Sequence, residues 1–245
     1  MAANFYETSK ALSEYLLFHY GKPEPRFPKH LTLNFPARCV SENIDLTRLP
    51  RNARGLDLGC AVGRSAFELA RHCSEVIAID NSAAFIAAAD RLRERGSLAF
   101  DYPVEGEFRK RAVARAPGVA IRRRVSFEEG DAMNLRADIG TFDAVLLANL
   151  IDRLPDPRRC LAQLPNLVNK GGQLVIASPY TWLESYTPRG KWLGGIKSGT
   201  FGALRRILAP HFKLMARRDL YFVIREHARK FQLGISEATT WIRKS

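Results

Sequence analysis

From Ala53 onward, short apolar runs alternate with longer segments in which apolar positions recur every three or four residues. A short apolar run bounded by turn residues suits a strand buried on both faces, and the longer period is that of an amphipathic helix. Strands are predicted at ARGLDLG (53–59), EVIAID (75–80), RVSFEEG (124–130), FDAVLLAN (142–149) and GQLVIAS (172–178). Helices fit between them at Arg64 to His72, Ser82 to Arg95 and Pro157 to Val168. The last has Asp156 as its N-cap, Pro157 at the first helical position and Gly171-Gly172 as its stop. Such alternation predicts βαβ units, a parallel sheet and the α/β class.

The flanks differ. Residues 1–50 read as a cap: a helix from Ser9 to His19, a loop GKPEPRFPKH and a short segment LTLNFPARCV. Pro23, Pro25 and Pro28 prevent regular structure between them, because each removes an amide donor and restricts its predecessor. Residues 51–245 read as the main domain, interrupted at 96–124 by a polar connection too long for an ordinary loop. After the fifth strand, PYTWLESYTPRGKWLGGIKSGT reads as irregular. A helix from Phe201 to Leu208 and two strand-like runs, HFKLMARR and SEATTWIRK, close the chain.

A chain of 245 residues, 46% apolar, suits one large domain. It has no run of eighteen apolar residues and no basic-then-apolar leader, so a soluble, cytoplasmic protein without a membrane partner is expected. Cys39, Cys60, Cys73 and Cys160 show no metal-ligand spacing and are expected to be reduced and buried. The net charge of +13 brings a nucleic-acid partner into consideration, most of all at FRKRAVARAPGVAIRRRVSF. Arginine is nevertheless spread through the whole chain, as on a solvated basic surface, and nucleic acid is not the expected partner.

The stretch RGLDLGCAVGRSAFELARHCSEVIAID (54–80) is a strand, a glycine turn, a helix and a second strand ending in an acid. A dinucleotide fingerprint needs a middle glycine to admit a pyrophosphate, and Ala61 stands in that place. The run D-x-G-C-x-x-G-R resembles instead the first motif of class I S-adenosylmethionine-dependent methyltransferases. The resemblance implies that family's Rossmann-like seven-stranded sheet with helices on both faces, completed by an antiparallel hairpin of the two closing strands. It implies S-adenosylmethionine as cofactor, with S-adenosylhomocysteine as product. Gly59, Cys60 and Gly63 would pass its methionine part, Asp80 with Asn81 its ribose, and Asp131, Ala132 and Met133 of EEGDAMNL its adenine. Asn149 ends the fourth strand, where ligands bind in open α/β sheets.

Longer segments narrow the family. YETSKALSEYLLFHYG, LNFPARCV, GDAMNLRADIGTFDAVLLANLIDRLPDPRRCL, GGQLVIASPYTWLESYTPR and LYFVIREHARKFQLGISEATTW resemble the methyltransferase domain of ovothiol synthase. That resemblance implies methylation of an imidazole ring nitrogen of 5-thiohistidine (4-mercaptohistidine) or its selenium analogue. The five histidines form no ligand cluster, so no metal is expected, and a separate iron-dependent sulfoxide synthase would act upstream.

Methyl transfer of this kind is an in-line displacement, in which positioning and desolvation dominate. Asn149 and Asp152 are the candidate catalytic groups. Candidate substrate contacts are Tyr6, Tyr20 and Asn34 from the cap, then Asp152, Tyr180, Trp182 and His227. Arg38 could pair with the carboxylate of cofactor or substrate. Each residue has a plainer reading: Tyr15, Phe18 and Tyr20 at helical spacing form an apolar face, and Trp182 builds a wall. The competing functions are methylation of another small metabolite, action on RNA, and cofactor binding without turnover.

Overall fold

A computed structural model describes residues 5–22, 24–28, 34–196 and 198–245. Pro23, His30 and the first three residues of LTLNFPARCV lie outside the described residues. Five parallel strands form the centre of the main sheet: β1 (Arg54–Leu58), β2 (Glu75–Asp80), β5 (Val125–Glu129), β6 (Phe142–Ala148) and β7 (Val168–Ser178). With the antiparallel β8 (Phe212–His227) and β9 (Lys230–Arg243) they give the order β5-β2-β1-β6-β7-β9-β8. The remaining strands, β3 (Ser97–Glu105) and β4 (Phe108–Arg115), form a separate two-stranded sheet. This is the seven-stranded α/β sheet expected from the sequence.

Helices α1 (Ser9–Tyr20), α2 (Phe35–Ser41), α3 (Arg64–Leu69) and α4 (Ala83–Arg95) bury Leu16, Phe35, Phe67 and Phe85 against one face of the sheet. Helices α6 (Pro157–Leu167) and α7 (Thr200–Leu208) bury Leu161, Leu164, Leu204 and Leu208 against the other. Local chemistry sets the boundaries. Ser82 caps α4 by accepting the Phe85 amide at 3.1 Å, and Gly96 ends that helix at φ 78°. Asp156 and Pro157 start α6 as expected, but its stop is different: the chain passes directly from Leu167 into β7, and Gly171-Gly172 lie within that strand.

Three other segments depart from expectation. LTLNFPARCV supplies α2, started by Pro36 in its first turn after Asn34 at φ 53°. The connection 96–124 is a β3–β4 hairpin followed by a one-turn helix, α5 (Val119–Arg122). Most importantly, the closing runs are the ends of one long ribbon, since β8 and β9 continue as far as His227 and Lys230. Charged residues near the tip obscure its alternation in the sequence. Gly234 pairs with Phe222, and any Cβ there would collide with the Phe222 ring, so the glycine lets the ring lie across the ribbon.

Candidate active site

The turn after β1 is clipped to the next strand, because the amides of Gly59 and Cys60 both donate to the carbonyl of Ile79, at 2.8 and 3.1 Å. Gly63 stands at φ 83°, and a Cβ there would lie 2.6 Å from the Phe127 ring. Glycine is required on both counts. At the end of β2, Asp80 accepts the Ala61 amide at 2.9 Å and the Ser82 amide at 3.0 Å. One carboxylate thus sets the turn and the start of α4 together. Burial raises its pKa, and the amide hydrogen bonds oppose that rise.

Along the same edge, Asp131 folds back to accept the Met133 amide at 2.8 Å, and Gln163 of α6 donates to the Ala132 carbonyl at 3.2 Å. Asn149 follows β6 at φ 53°, its amide bonded to Ala177 O and its Oδ1 accepting Ser236 Oγ at 2.6 Å. Ala61, Asp80, Asn81, Asp131, Met133 and Asn149 line one end of a cavity of about 700 Å³, with Gly59 and Ala132 beside them. Cys60 and Gly63 shape the turn from behind. The Cys60 thiol is fully buried, and burial holds its pKa well above the ordinary value.

Beneath this end lies a second carboxylate. Asp57 is fully buried, accepts the Ser65 hydroxyl at 2.6 Å through Oδ2, and has no partner for Oδ1 among the described residues. Burial pushes its pKa up to about 7.

Much of the remaining cavity wall is aromatic. The carbonyl of Tyr6 accepts Ser82 Oγ at 3.1 Å and Glu7 accepts the Ala84 amide at 3.2 Å, which pins the N-terminal segment beside Asp80. The Tyr6 ring then lies 5.9 Å from each of Tyr15, Phe85 and Tyr186. Phe18, Phe35 and Phe222 form an adjoining cluster with centroids 5.0 to 5.9 Å apart. Burial pushes the Tyr15 phenol up to about 12 and the Tyr6 phenol higher still. His19 sits in this wall with Nδ1 buried and unpartnered among the described residues, and burial, helped by the charge of Arg64, lowers its pKa to about 3. The imidazole is therefore neutral at physiological pH. Arg153 also faces the cavity, its guanidinium 5.1 Å over the Tyr186 ring and hydrogen-bonded to Thr181 O at 2.8 Å.

Of the sequence-predicted acceptor contacts, Tyr6 and Asn149 face the cavity and the others do not. Asp152 is fully buried, holding Ser178 Oγ at 3.0 Å, the Thr181 amide at 3.0 Å and Arg153 at 2.9 Å. With its lone pairs committed inward, it orients the loop after β7 and Arg153. Tyr20 donates to Val62 O at 2.8 Å, bracing the glycine turn from outside. Asn34 stands at the N-cap position of α2 without a side-chain cap, and its Oδ1 accepts from Arg64, whereas Arg38 pairs with Glu42 and Tyr221 O. Tyr180 donates to Glu237 at 2.7 Å, Trp182 donates to Thr200 at 2.9 Å, and His227 lies at the ribbon tip, bonded to the Arg229 amide.

The sequence signal for Tyr15, Phe18 and His19 was present as one helical face of α1. Phe222 and Ile224 share a strand face, but that strand was not foreseen. Gln232 and Leu233, at the cavity rim, carried no signal at all.

Residues 56–176 match the family model of the methyltransferase domain. This segment is similar to that methyltransferase domain. It spans β1 to nearly the end of β7 and includes the whole edge from Gly59 to Asn149. Among curated relatives, norajmaline N-methyltransferase of Rauvolfia serpentina is 27% identical over 134 residues, which are 55% of this chain and 38% of that one. Ubiquinone biosynthesis O-methyltransferase of Xanthomonas oryzae pv. oryzae is 25% identical over 155 residues, 63% of this chain and 53% of its own. The chain thus spans about half or less of the length of these relatives.

Solved structures share the methyltransferase fold over more of the chain. N-methyltransferase NodS from Bradyrhizobium japonicum WM9, in complex with S-adenosyl-L-homocysteine, superposes with a TM-score of 0.51 at 18% identity, covering 79% of each chain. The [4+2]-cyclase SpnF gives 0.60 at 18% identity, covering 98% of this chain and 94% of its own. These likenesses concern the fold alone, and one fold supports more than one reaction. Within the matched segment, the cavity suits S-adenosylmethionine: Asp80 keeps lone pairs beyond its two amides, and the left-handed turn at Gly59 (φ 74°) opens onto the cavity. Among the described residues no cluster of His, Cys, Asp or Glu is arranged to hold a metal ion, and no helix is long and apolar enough to cross a membrane.

Proposed function

We propose that this chain is a small-molecule N-methyltransferase whose acceptor is an imidazole ring nitrogen of 5-thiohistidine or its selenium analogue. The observation that carries this reading is one continuous cavity, bounded by both the acidic glycine-turn edge and an aromatic wall containing neutral His19. Asp80 would accept the ribose hydroxyls, and Asp131 with the Ala132–Met133 backbone would flank the adenine. When bound, S-adenosylmethionine supplies an already activated sulfonium methyl.

The chain's own residues then position the acceptor and keep it dry. Tyr6, Tyr15, Phe85 and Tyr186 enclose a flat ring and exclude water from the transfer line. Ser236 holds the oxygen of Asn149, which turns the amide NH2 toward the acceptor. His19, uncharged, can accept the N–H of a heterocycle, which fixes the tautomer whose lone pair faces the methyl. Arg153 can pair with the carboxylate of an amino-acid acceptor. Direct transfer needs no protein nucleophile, in keeping with the buried thiols of Cys39, Cys60, Cys73 and Cys160.

The segments that resemble the ovothiol-synthase methyltransferase domain support the choice of thiohistidine, and the N-methyltransferase relative is compatible with a nitrogen acceptor. Release of S-adenosylhomocysteine, followed with a panel of 5-thiohistidine, 5-selenohistidine, histidine and unrelated small amines, tests it. Release with the first two and not with histidine is expected. Release with other members alone would transfer the function to another small metabolite.

A further inference from the structure

A second cleft, of about 570 Å³, lies on the other side of the β8 strand. Phe222 and Ile224 face the first cavity, whereas Val223 and Arg225 face this cleft, as strand alternation requires. Its remaining walls are the end of α1, the following segment at Lys22, Glu24 and Pro25, and the β3–β4 hairpin. Nothing in the proposed methyl transfer uses it.

Charge and shape in this cleft are unbalanced. Lys22, Arg111, Arg115 and Arg225 confront a single carboxylate, Glu24, an excess of three positive charges. Glu24 is already engaged by Arg26 at 2.6 Å and stands 3.8 Å from Arg225. Lys22, Arg111 and Arg115 form no ion pair among the described residues. The Nε of Arg225 is buried and has no acceptor among the described residues, and a buried donor left unpaired is costly. Its guanidinium lies 5.3 Å over the Tyr102 ring and 5.9 Å over the Phe231 ring. Phe18, Tyr20 and Phe100 add further aromatic side chains to the lining.

We propose that this cleft is a binding site for a phosphate monoester carried on a planar ring, a ligand of the nucleoside monophosphate type. A phosphate monoester carries about −1.5 to −2 charges at neutral pH and so offsets the cationic excess better than one carboxylate does. Guanidinium groups match its oxygens in fork geometry. The aromatic side chains receive the ring, and the volume falls within the range of small-molecule sites. Phe18 lines both spaces, so a molecule held here would abut the acceptor end of the first cavity.

Isothermal titration of the full chain with adenosine monophosphate tests the site, with S-adenosylhomocysteine at saturation so that the first cavity cannot take the adenine. Adenosine and inorganic phosphate serve as half-ligands, and a single-stranded RNA oligonucleotide serves as a polyanion. One nucleotide should bind per chain, more tightly than either half. Arg225→Ala and the exposed Arg115→Ala should each weaken it by about tenfold while leaving S-adenosylhomocysteine affinity unchanged. The exposed position guards against misfolding as an explanation.

Absence of nucleotide binding, or nucleotide affinity indifferent to both substitutions, would overturn the proposal. Binding of RNA without the mononucleotide would also overturn it and assign the charge to a polyanion surface. Failure of S-adenosylhomocysteine to bind counts against the proposed function alone, since the nucleotide titration can be repeated without it.

Discussion

The Ser236 hydroxyl donates to Asn149 Oδ1 at 2.6 Å, so the last strand of the chain orients the side chain that ends β6. Asn149→Ala should lower kcat by about tenfold or more, the scale of one well-placed hydrogen bond, with a smaller change in S-adenosylhomocysteine affinity. Ser236→Ala should lower kcat less, and Ser236→Thr should restore it. Steady-state kinetics beside calorimetric cofactor affinity checks this. An equal loss of cofactor affinity in Asn149→Ala would move that residue to the cofactor.

Asp80 combines two tasks, setting the backbone of the turn and presenting an acceptor to the cavity. Asp80→Ala should weaken S-adenosylhomocysteine about a hundredfold, since two hydrogen bonds to a charged group are lost. Asp80→Asn, which keeps an acceptor, should retain part of the affinity. Undiminished affinity in the alanine variant would remove Asp80 from the cofactor site.

Asp57 predicts a pH dependence of stability. Its native pKa, about 7, exceeds the ordinary carboxyl value of 3.8, so between those limits the native state keeps a proton that the unfolded chain has released. Its contribution to stability therefore falls as pH rises through that window and levels off above about 7. Asp57→Asn cannot ionise and can still accept from Ser65. It should be more stable than the parent at about pH 8, by a few kcal/mol at most, with the difference vanishing near pH 4. Urea denaturation midpoints across this range provide the check, and parallel curves would show that Asp57 does not titrate differently on folding.

His19 makes the opposite prediction, an absence of titration. With a native pKa near 3, it stays neutral from about pH 5 upward. His19→Gln should lower kcat/KM yet leave the shape of its pH profile unchanged above about pH 5. An inflection near pH 6.5 that disappears in the variant would show that His19 ionises in the working enzyme.

Sequence and structure agree best where geometry is local. The turn from Gly59 to Gly63, Asp80 at the end of β2 and the Asp131–Met133 segment each follow from a strand ending beside a helix, and the residue types state their own position. The acceptor side is different, because it is assembled from α1, the loop after β7 and the ribbon tip. Asp152 illustrates the difficulty. An acid just past a strand in an α/β sheet reads as a site group, yet a single rotation of the chain turns it toward Ser178 and Thr181. Tyr180 and Trp182 likewise spend their polar atoms on Glu237 and Thr200. Phe222 was hidden for another reason: the charged tip of the ribbon masks the strand alternation that would have exposed it.

The most direct test of methyl transfer to thiohistidine is mass spectrometry and NMR of the product formed from S-adenosylmethionine labelled with carbon-13 in its methyl group. 5-Thiohistidine should gain one labelled methyl whose carbon couples to a ring nitrogen, while histidine remains unmodified. Label on sulfur, or no labelled product from a protein that binds S-adenosylhomocysteine, would contradict the account.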